Sequence, residues 1–346
     1  MRAAFITEFG GVDKVQIGDI PKPTPGPGQA LLKVKTAALN HLDIWVIKGR
    51  PGVTLKGPHV IGSDGAGVVE ALGSGCEQLA VKVGQEVILN PGVSCMTCEW
   101  CLRGLHSECP GFRITGFQLE GVYAEYALVP AVNLFPKPAH LSWQEAAALP
   151  LAHLTAWRML FERCRMQSGE TILVHGIGGG VAVAALQICV ANACRVIVTS
   201  SSDAKIAAAK KMGAVAGVNY KTTPDVAAAV KALTNGRGAD IVLDTAGAAT
   251  LPISMGSVRR GGRIVTCGIT TGPEAPINIQ QLYWNHISFL GSTMGSMEDM
   301  RRMTKAIEHS GIKPLIDQTF PLSQAGAALA RMKEGAQMGK IVLNVE

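Results

Sequence analysis

Hydrophobic positions in the first 150 residues fall into short β-type runs separated by glycine- and proline-rich stretches such as Pro21–Gln29 (PKPTPGPGQ). Arg2–Ile6, Val15–Ile20, Ala30–Leu39, Ala66–Leu72, Glu86–Leu89 and Tyr123–Val129 are the predicted strands, and their spacing predicts a mainly antiparallel, barrel-like domain. From about Leu154 the texture changes to helical patterns alternating with buried strands, at Thr171–Val174, Arg195–Thr199, Ile241–Leu243 and Arg263–Cys267. Such alternation predicts a doubly wound parallel sheet, so the fold class is α/β. An apolar strand over Ile287–Ser292, a helix over Glu298–His309 and a last strand over Lys340–Val345 read as a return to the first domain.

The most informative stretch runs from Glu170 to Lys205. The strand TILV meets the turn HGIGGGVA (His175–Ala182), a helical pattern follows, and the strand RVIVT closes the βαβ unit. Gly176, Gly179 and Ala182 let the backbone approach a pyrophosphate, and Gly180 and Val181 open a helix whose free N–H groups and positive dipole end face it. This predicts a dinucleotide site, read from the flanking elements rather than from the glycines alone. An NAD site usually carries an acid at the end of the second strand. Here the chain reads Thr199, Ser200, Ser201, Ser202, with Lys205 close behind. Hydroxyls and a lysine suit a 2′-phosphate, which predicts NADPH over NADH. The same serines also suit a helix cap, and the two roles are compatible.

Composition bounds the alternatives. The chain has 346 residues, 47% hydrophobic and 17% charged, which fits two compact domains with substantial cores. The net charge of +6 is modest and its lysines and arginines are scattered, so nucleic acid is not an expected partner. No apolar run reaches the roughly eighteen residues of a membrane span, and the N-terminus lacks an export signal, so a cytoplasmic protein acting on a small molecule is expected.

Nine cysteines are present, of which Cys95, Cys98, Cys101 and Cys109 are tightly grouped. Four thiolates that close in sequence can wrap one tetrahedral Zn²⁺ and leave no open coordination position, which makes the ion structural. An iron–sulfur cluster or a redox pair is the alternative. Cys76, Cys164, Cys189, Cys194 and Cys267 are isolated and read as core thiols.

Together with AALNHLDIWVIKG (Ala37–Gly49), IGSDGAGVV (Ile61–Val69), PLAHLTAWRML (Pro150–Leu160) and the terminal GKIVL (Gly339–Leu343), these features place a resemblance. The chain resembles the medium-chain dehydrogenase/reductase superfamily over essentially its whole length, especially zinc-containing alcohol dehydrogenases and the related quinone oxidoreductases. The resemblance implies a GroES-like mainly-β barrel catalytic domain over 1–152, with a zinc lobe at about 92–112, a Rossmann domain over 153–289, and a return over 290–346. It also implies that His41 contacts the cofactor pyrophosphate, that Thr155 sits beside the nicotinamide or its ribose, and that Lys205 with Tyr220 grips the 2′-phosphate.

Departures from the family pattern carry the expectation about chemistry. Where zinc-dependent relatives have Cys, His and Cys as ligands of a catalytic zinc, this chain has Asn40, Ser63 and Leu151, and the usual Glu is Asp64. Amide and hydroxyl oxygens bind zinc weakly and leucine not at all. The catalytic zinc is therefore expected to be missing while the lobe zinc is kept. A rearranged metal site from His41, Asp43, His59 and Asp64 is the competing reading, with His59 otherwise expected at the surface. Asn40 and Ser63 are then the hydrogen-bond donors facing negative charge on a substrate oxygen, and Trp45, Leu119, Tyr123 and Met294 are expected around the substrate. This favours a quinone, an enone or an α,β-unsaturated carbonyl as acceptor. The alternatives are an alcohol dehydrogenase or carbonyl reductase with a nonstandard metal or none, and a non-catalytic NADPH-binding protein. The apolar strand Ile287–Ser292 implies a homodimer or homotetramer.

Overall fold

The computed structural model describes residues 1–49, 51 and 54–345. The chain forms two compact units, Met1–Leu154 with Met294–Glu346, and Thr155–Thr293.

The first unit is the GroES-like, mainly-β part. Its largest sheet has seven strands, with the long strand Gln29–Ala38 at its centre, paired antiparallel to Asp64–Leu72, Tyr126–Pro130 and Lys340–Asn344. The chain's end thus returns to the sheet its beginning started: Val342 stands opposite Ala38 and Leu343 opposite Ala37. Alternating side chains of these strands supply one continuous core, including Leu32, Val34, Val69, Leu89 and Ile341. Pairing of Asp64 with Ala38 brings the two chain segments that flank Asn40 and Ser63 side by side. Within this unit Gly62 has φ +95° and a Cβ there would lie 2.1 Å from the Tyr123 ring, so the position before Ser63 requires glycine twice over.

The second unit is a six-stranded, all-parallel sheet of Rossmann type in the order Ala216–Asn219, Arg195–Ser200, Thr171–Val174, Ala239–Asp244, Val258–Thr266, Ser288–Gly291. Thr171–Val174 and Ala239–Asp244 are buried at every position, as parallel strands covered on both faces must be. The helix Gly180–Ala191 packs Ala182, Ala184, Ala185, Leu186 and Ile188 inward, and its three buried alanines let it lie close to the sheet. The predicted second strand gains Ser200, and Ala216–Asn219, rich in Ala and Gly, is an edge strand that hydrophobic periodicity did not mark. No helix among the described residues is long and apolar enough to cross a membrane.

Candidate active site

The glycine turn is built from the neighbouring strand. Thr199 accepts from Gly176 N through its hydroxyl at 3.2 Å and from Ile177 N through its carbonyl at 2.8 Å, and its hydroxyl also meets His175 Nδ1 at 3.1 Å. His175 is buried and burial lowers its pKa, so it stays neutral. Gly176 takes φ +66° and a Cβ there would meet nothing within 4 Å, while Gly179 caps the helix that Gly180 and Val181 begin. An open turn with unblocked backbone at the head of a twelve-residue helix fits a dinucleotide pyrophosphate. Beyond the second strand, Ser200 is buried and its hydroxyl accepts from Ser202 N, Ser201 is half-buried, and Ser202 caps the helix carrying Lys205. Tyr220 is 48% exposed and its backbone N–H is tied to Ser200 O at 3.1 Å. Thr155 is buried on the helix Pro150–Trp157.

In the first unit the four cysteines converge. Their sulfurs lie within 4.8 Å of one another. Cys98 to Cys101 and Cys95 to Cys109 are 3.5 Å apart, and Cys95 to Cys101 is 3.9 Å. A tetrahedral ion with Zn–S bonds of about 2.3 Å demands edges of about 3.8 Å, so the lobe fits a structural zinc. Backbone N–H groups of Thr97 and Cys98 pull the Cys95 thiol down to about 5, toward the thiolate a zinc ligand must be. All nine cysteines are unpaired in the structure.

A second polar cluster forms around Asn40. Its Nδ2 donates to Asp64 Oδ2 at 2.9 Å, and its Oδ1 accepts from Lys340 Nζ at 2.6 Å. Lys340 also pairs with Asp64 at 3.0 Å, and Leu151 N donates to the other Asp64 oxygen at 2.8 Å. Asp64 and Ser63 are wholly buried, Lys340 is 4% exposed and Asn40 8%. Among the described residues Ser63 Oγ has no hydrogen-bond partner. Beside them Asp43 Oδ2 accepts from Asn40 N at 2.9 Å and from Tyr123 OH at 2.6 Å. Burial raises the Asp43 carboxyl to about 6, against the opposing pull of those donors and of Lys340.

The structure corrects several expectations. Tyr123 does not line an opening: it is fully buried, with its ring against Gly62 and its hydroxyl on Asp43. Met294 is buried as well. His59 is buried in the short strand His59–Val60, with Nδ1 3.4 Å from Glu120, and is not a surface loop residue. His41 is exposed and stacks edge-on to Trp45. Among the described residues, only the cysteine lobe gathers three or more metal-type donors, so His41, Asp43, His59 and Asp64 do not come together. Sequence reasoning missed Lys340. Its signal was present in GKIVL, a lysine leading straight into the buried apolar run Ile341–Leu343.

The comparisons with known proteins agree with this layout. Residues 26–139 match the alcohol dehydrogenase GroES-like domain and residues 180–309 the zinc-binding dehydrogenase domain. A zinc-type alcohol dehydrogenase-like protein of Schizosaccharomyces pombe is 34% identical over 100% of this chain and 99% of its own. The chain belongs to the medium-chain zinc-containing alcohol dehydrogenase family. The alcohol dehydrogenase of Geobacillus stearothermophilus is 30% identical over the full length of both chains. The crystal structure of an NAD-dependent alcohol dehydrogenase superposes with a TM-score of 0.94, at 41% identity and full coverage of both chains. A cobalt- and zinc-bound thermostable alcohol dehydrogenase from Pyrobaculum aerophilum gives 0.88 at 34% identity, covering 99% of each chain. The protein is therefore an NAD(P)-dependent dehydrogenase of small molecules. These relatives overturn the expectation of a zinc-free quinone or enone reductase, since whole-length kinship runs to alcohol dehydrogenases. For a catalytic zinc of the relatives' kind, the residues at hand do not fit: the Asn40 oxygen is engaged by an ammonium, Ser63 offers a neutral hydroxyl, and Leu151 offers no side-chain donor.

Proposed function

We propose that this member of the family interconverts an alcohol and its carbonyl compound, using NADPH, with Asn40 as the side chain that meets the substrate oxygen. The observation that carries the reading is the Asn40 carboxamide, fixed by two charged partners yet retaining a second Nδ2 hydrogen. A positioned N–H of this kind stabilises negative charge developing on a carbonyl oxygen, and removal of one such donor typically costs about 10²–10³ in kcat. Ser63, with an unused hydroxyl, is the second donor proposed, although its complete burial makes it the weaker of the two. When bound, the dinucleotide supplies or accepts the hydride. The protein's share is to bind and orient it: Gly176, Gly179, Gly180 and Val181 at the pyrophosphate, His41 as a further pyrophosphate contact, and Thr155 at the nicotinamide end. The names of the relatives support an alcohol as substrate.

NADPH is proposed over NADH because no carboxylate occupies Ser200–Ser202, while Lys205 and Tyr220 flank that strand end. A homodimer or homotetramer is proposed from the edge strand Ser288–Gly291, where Phe289 is exposed, next to the exposed Tyr283 and Trp284. The nine unpaired thiols support a reducing, cytoplasmic setting. The test is NADPH oxidation with saturated aldehydes and ketones, and NADP⁺ reduction with the matching alcohols. Turnover that falls about 100-fold in Asn40→Ala is the expected outcome; no turnover on any saturated alcohol or carbonyl would defeat the reading.

A further inference from the structure

We infer that Lys340 is the positioning residue of this pocket, holding the Asn40 carboxamide in one orientation so that a single Nδ2–H remains for the substrate oxygen. The inference rests on the alcohol and carbonyl reading above and adds to it a residue from the last strand of the chain.

The argument is one of donors and acceptors. An ammonium only donates and an ionised carboxylate only accepts. Lys340 Nζ lies 2.6 Å from one end of the Asn40 amide, and Asp64 Oδ2 lies 2.9 Å from the other. The oxygen must therefore face Lys340 and the nitrogen Asp64. Rotating the amide by half a turn would set NH₂ against NH₃⁺ and oxygen against carboxylate, two repulsive contacts among buried groups that solvent screens little. Asp64 is itself anchored by Leu151 N at 2.8 Å, and Lys340 by its pairing with Ile316 and by its backbone N–H, which donates to Leu315 O at 2.9 Å, so both partners of the amide are held in place. The ammonium also polarises the amide: charge drawn toward Oδ1 makes the remaining N–H a stronger donor. A cation thus acts on the substrate oxygen through one amide. Chain positions 40, 64 and 340 must all be in place for it.

A purely structural role would be charge balance for buried Asp64, and the experiment separates the two. The full-length protein is prepared as wild type, Lys340→Met, and the charge-balanced double variant Asp64→Asn/Lys340→Met. Aldehyde reduction with NADPH is measured, and the Asn40 side-chain ¹⁵N–¹H signals are followed by NMR, assigned by their loss in Asn40→Ala. Expected for Lys340→Met is a fall in kcat of about 10–100-fold, in the range seen when an orienting partner is removed, with the KM for NADPH unchanged and the Asn40 signals moved. The double variant is expected to regain thermal stability but not kcat. Wild-type kcat in the double variant, or Asn40 signals unmoved by loss of Lys340, would overturn the inference. If the single variant does not fold, the double variant decides both readouts. Wild-type protein that turns over no aldehyde, with Asn40 signals that move as expected, would remove the alcohol and carbonyl reading and leave Lys340 as the amide's orienter. Normal turnover with kcat unaffected by Lys340→Met would remove only the present inference.

Discussion

The cysteine lobe and the Asn40 pocket belong to the same unit, yet they solve the problem of a polar centre in opposite ways. The lobe draws four soft donors from fifteen consecutive positions, Cys95 to Cys109, and places their sulfurs near the corners of a tetrahedron. The pocket draws Asn40, Asp64 and Lys340 from three distant strands or strand ends, and it balances a carboxylate against an ammonium instead of gathering metal donors. The first arrangement needs an ion to be complete. The second carries its own cation.

The comparison is tested most severely by removing one ligand of the lobe. Cys101→Ser should lose the bound zinc and unfold the lobe, because structural zinc sites contribute about 10–16 kcal/mol of binding free energy in small domains. Zinc per chain and proteolysis within residues 92–112 report it, whereas Asn40→Ala should leave zinc content unchanged. Next in size is Asp64→Asn alone, which strands the Lys340 ammonium without its partner. A loss of about 3–5 kcal/mol of unfolding free energy is expected in urea titrations, and the Asp64→Asn/Lys340→Met pair should recover most of it.

Asp43 gives a pH signature that the lobe lacks. Burial raises its folded pKa from 3.8 to about 6. The folded state therefore holds a proton that the unfolded chain has released, so stability falls as pH rises across that window and is level above it. A rise of this size corresponds to about 3 kcal/mol. Urea midpoints from pH 4 to 7 should show this decline in wild type and its disappearance in Asp43→Asn. The smallest expected effect lies in the other unit: Lys205→Ala should raise the KM for NADPH about tenfold, equivalent to about 1.4 kcal/mol, and leave that for NADH unchanged. An unchanged NADPH constant would remove the cofactor preference.

What the sequence disclosed follows the same division. The lobe was readable because its ligands are local and of one type, and the glycine turn because strand, turn and helix are contiguous. The parallel sheet announced itself through apolar runs such as Ile241–Leu243, apart from the weak edge strand Ala216–Asn219. The pocket was only half readable. Asn40 and Ser63 could be singled out against the family pattern, but the partners that give Asn40 its orientation lie 24 and 300 residues away. A lone lysine in an apolar terminal strand says that something buries a charge without saying what. Tyr123 misled for a related reason: an aromatic in a glycine-rich loop reads as a pocket wall, and only the contact with Gly62 and the bond to Asp43 show it as core. Local periodicity likewise carries no information about reaction class. The zinc-free quinone or enone expectation came from missing ligands, and whole-length kinship corrected it.

The most direct test of the account is the turnover of a saturated aldehyde with NADPH by wild type and by Asn40→Ala, both carrying their lobe zinc. The account predicts measurable wild-type reduction and a kcat about 100-fold lower in the variant, with NADPH binding intact. An Asn40→Ala protein that reduces the aldehyde as fast as wild type would contradict it.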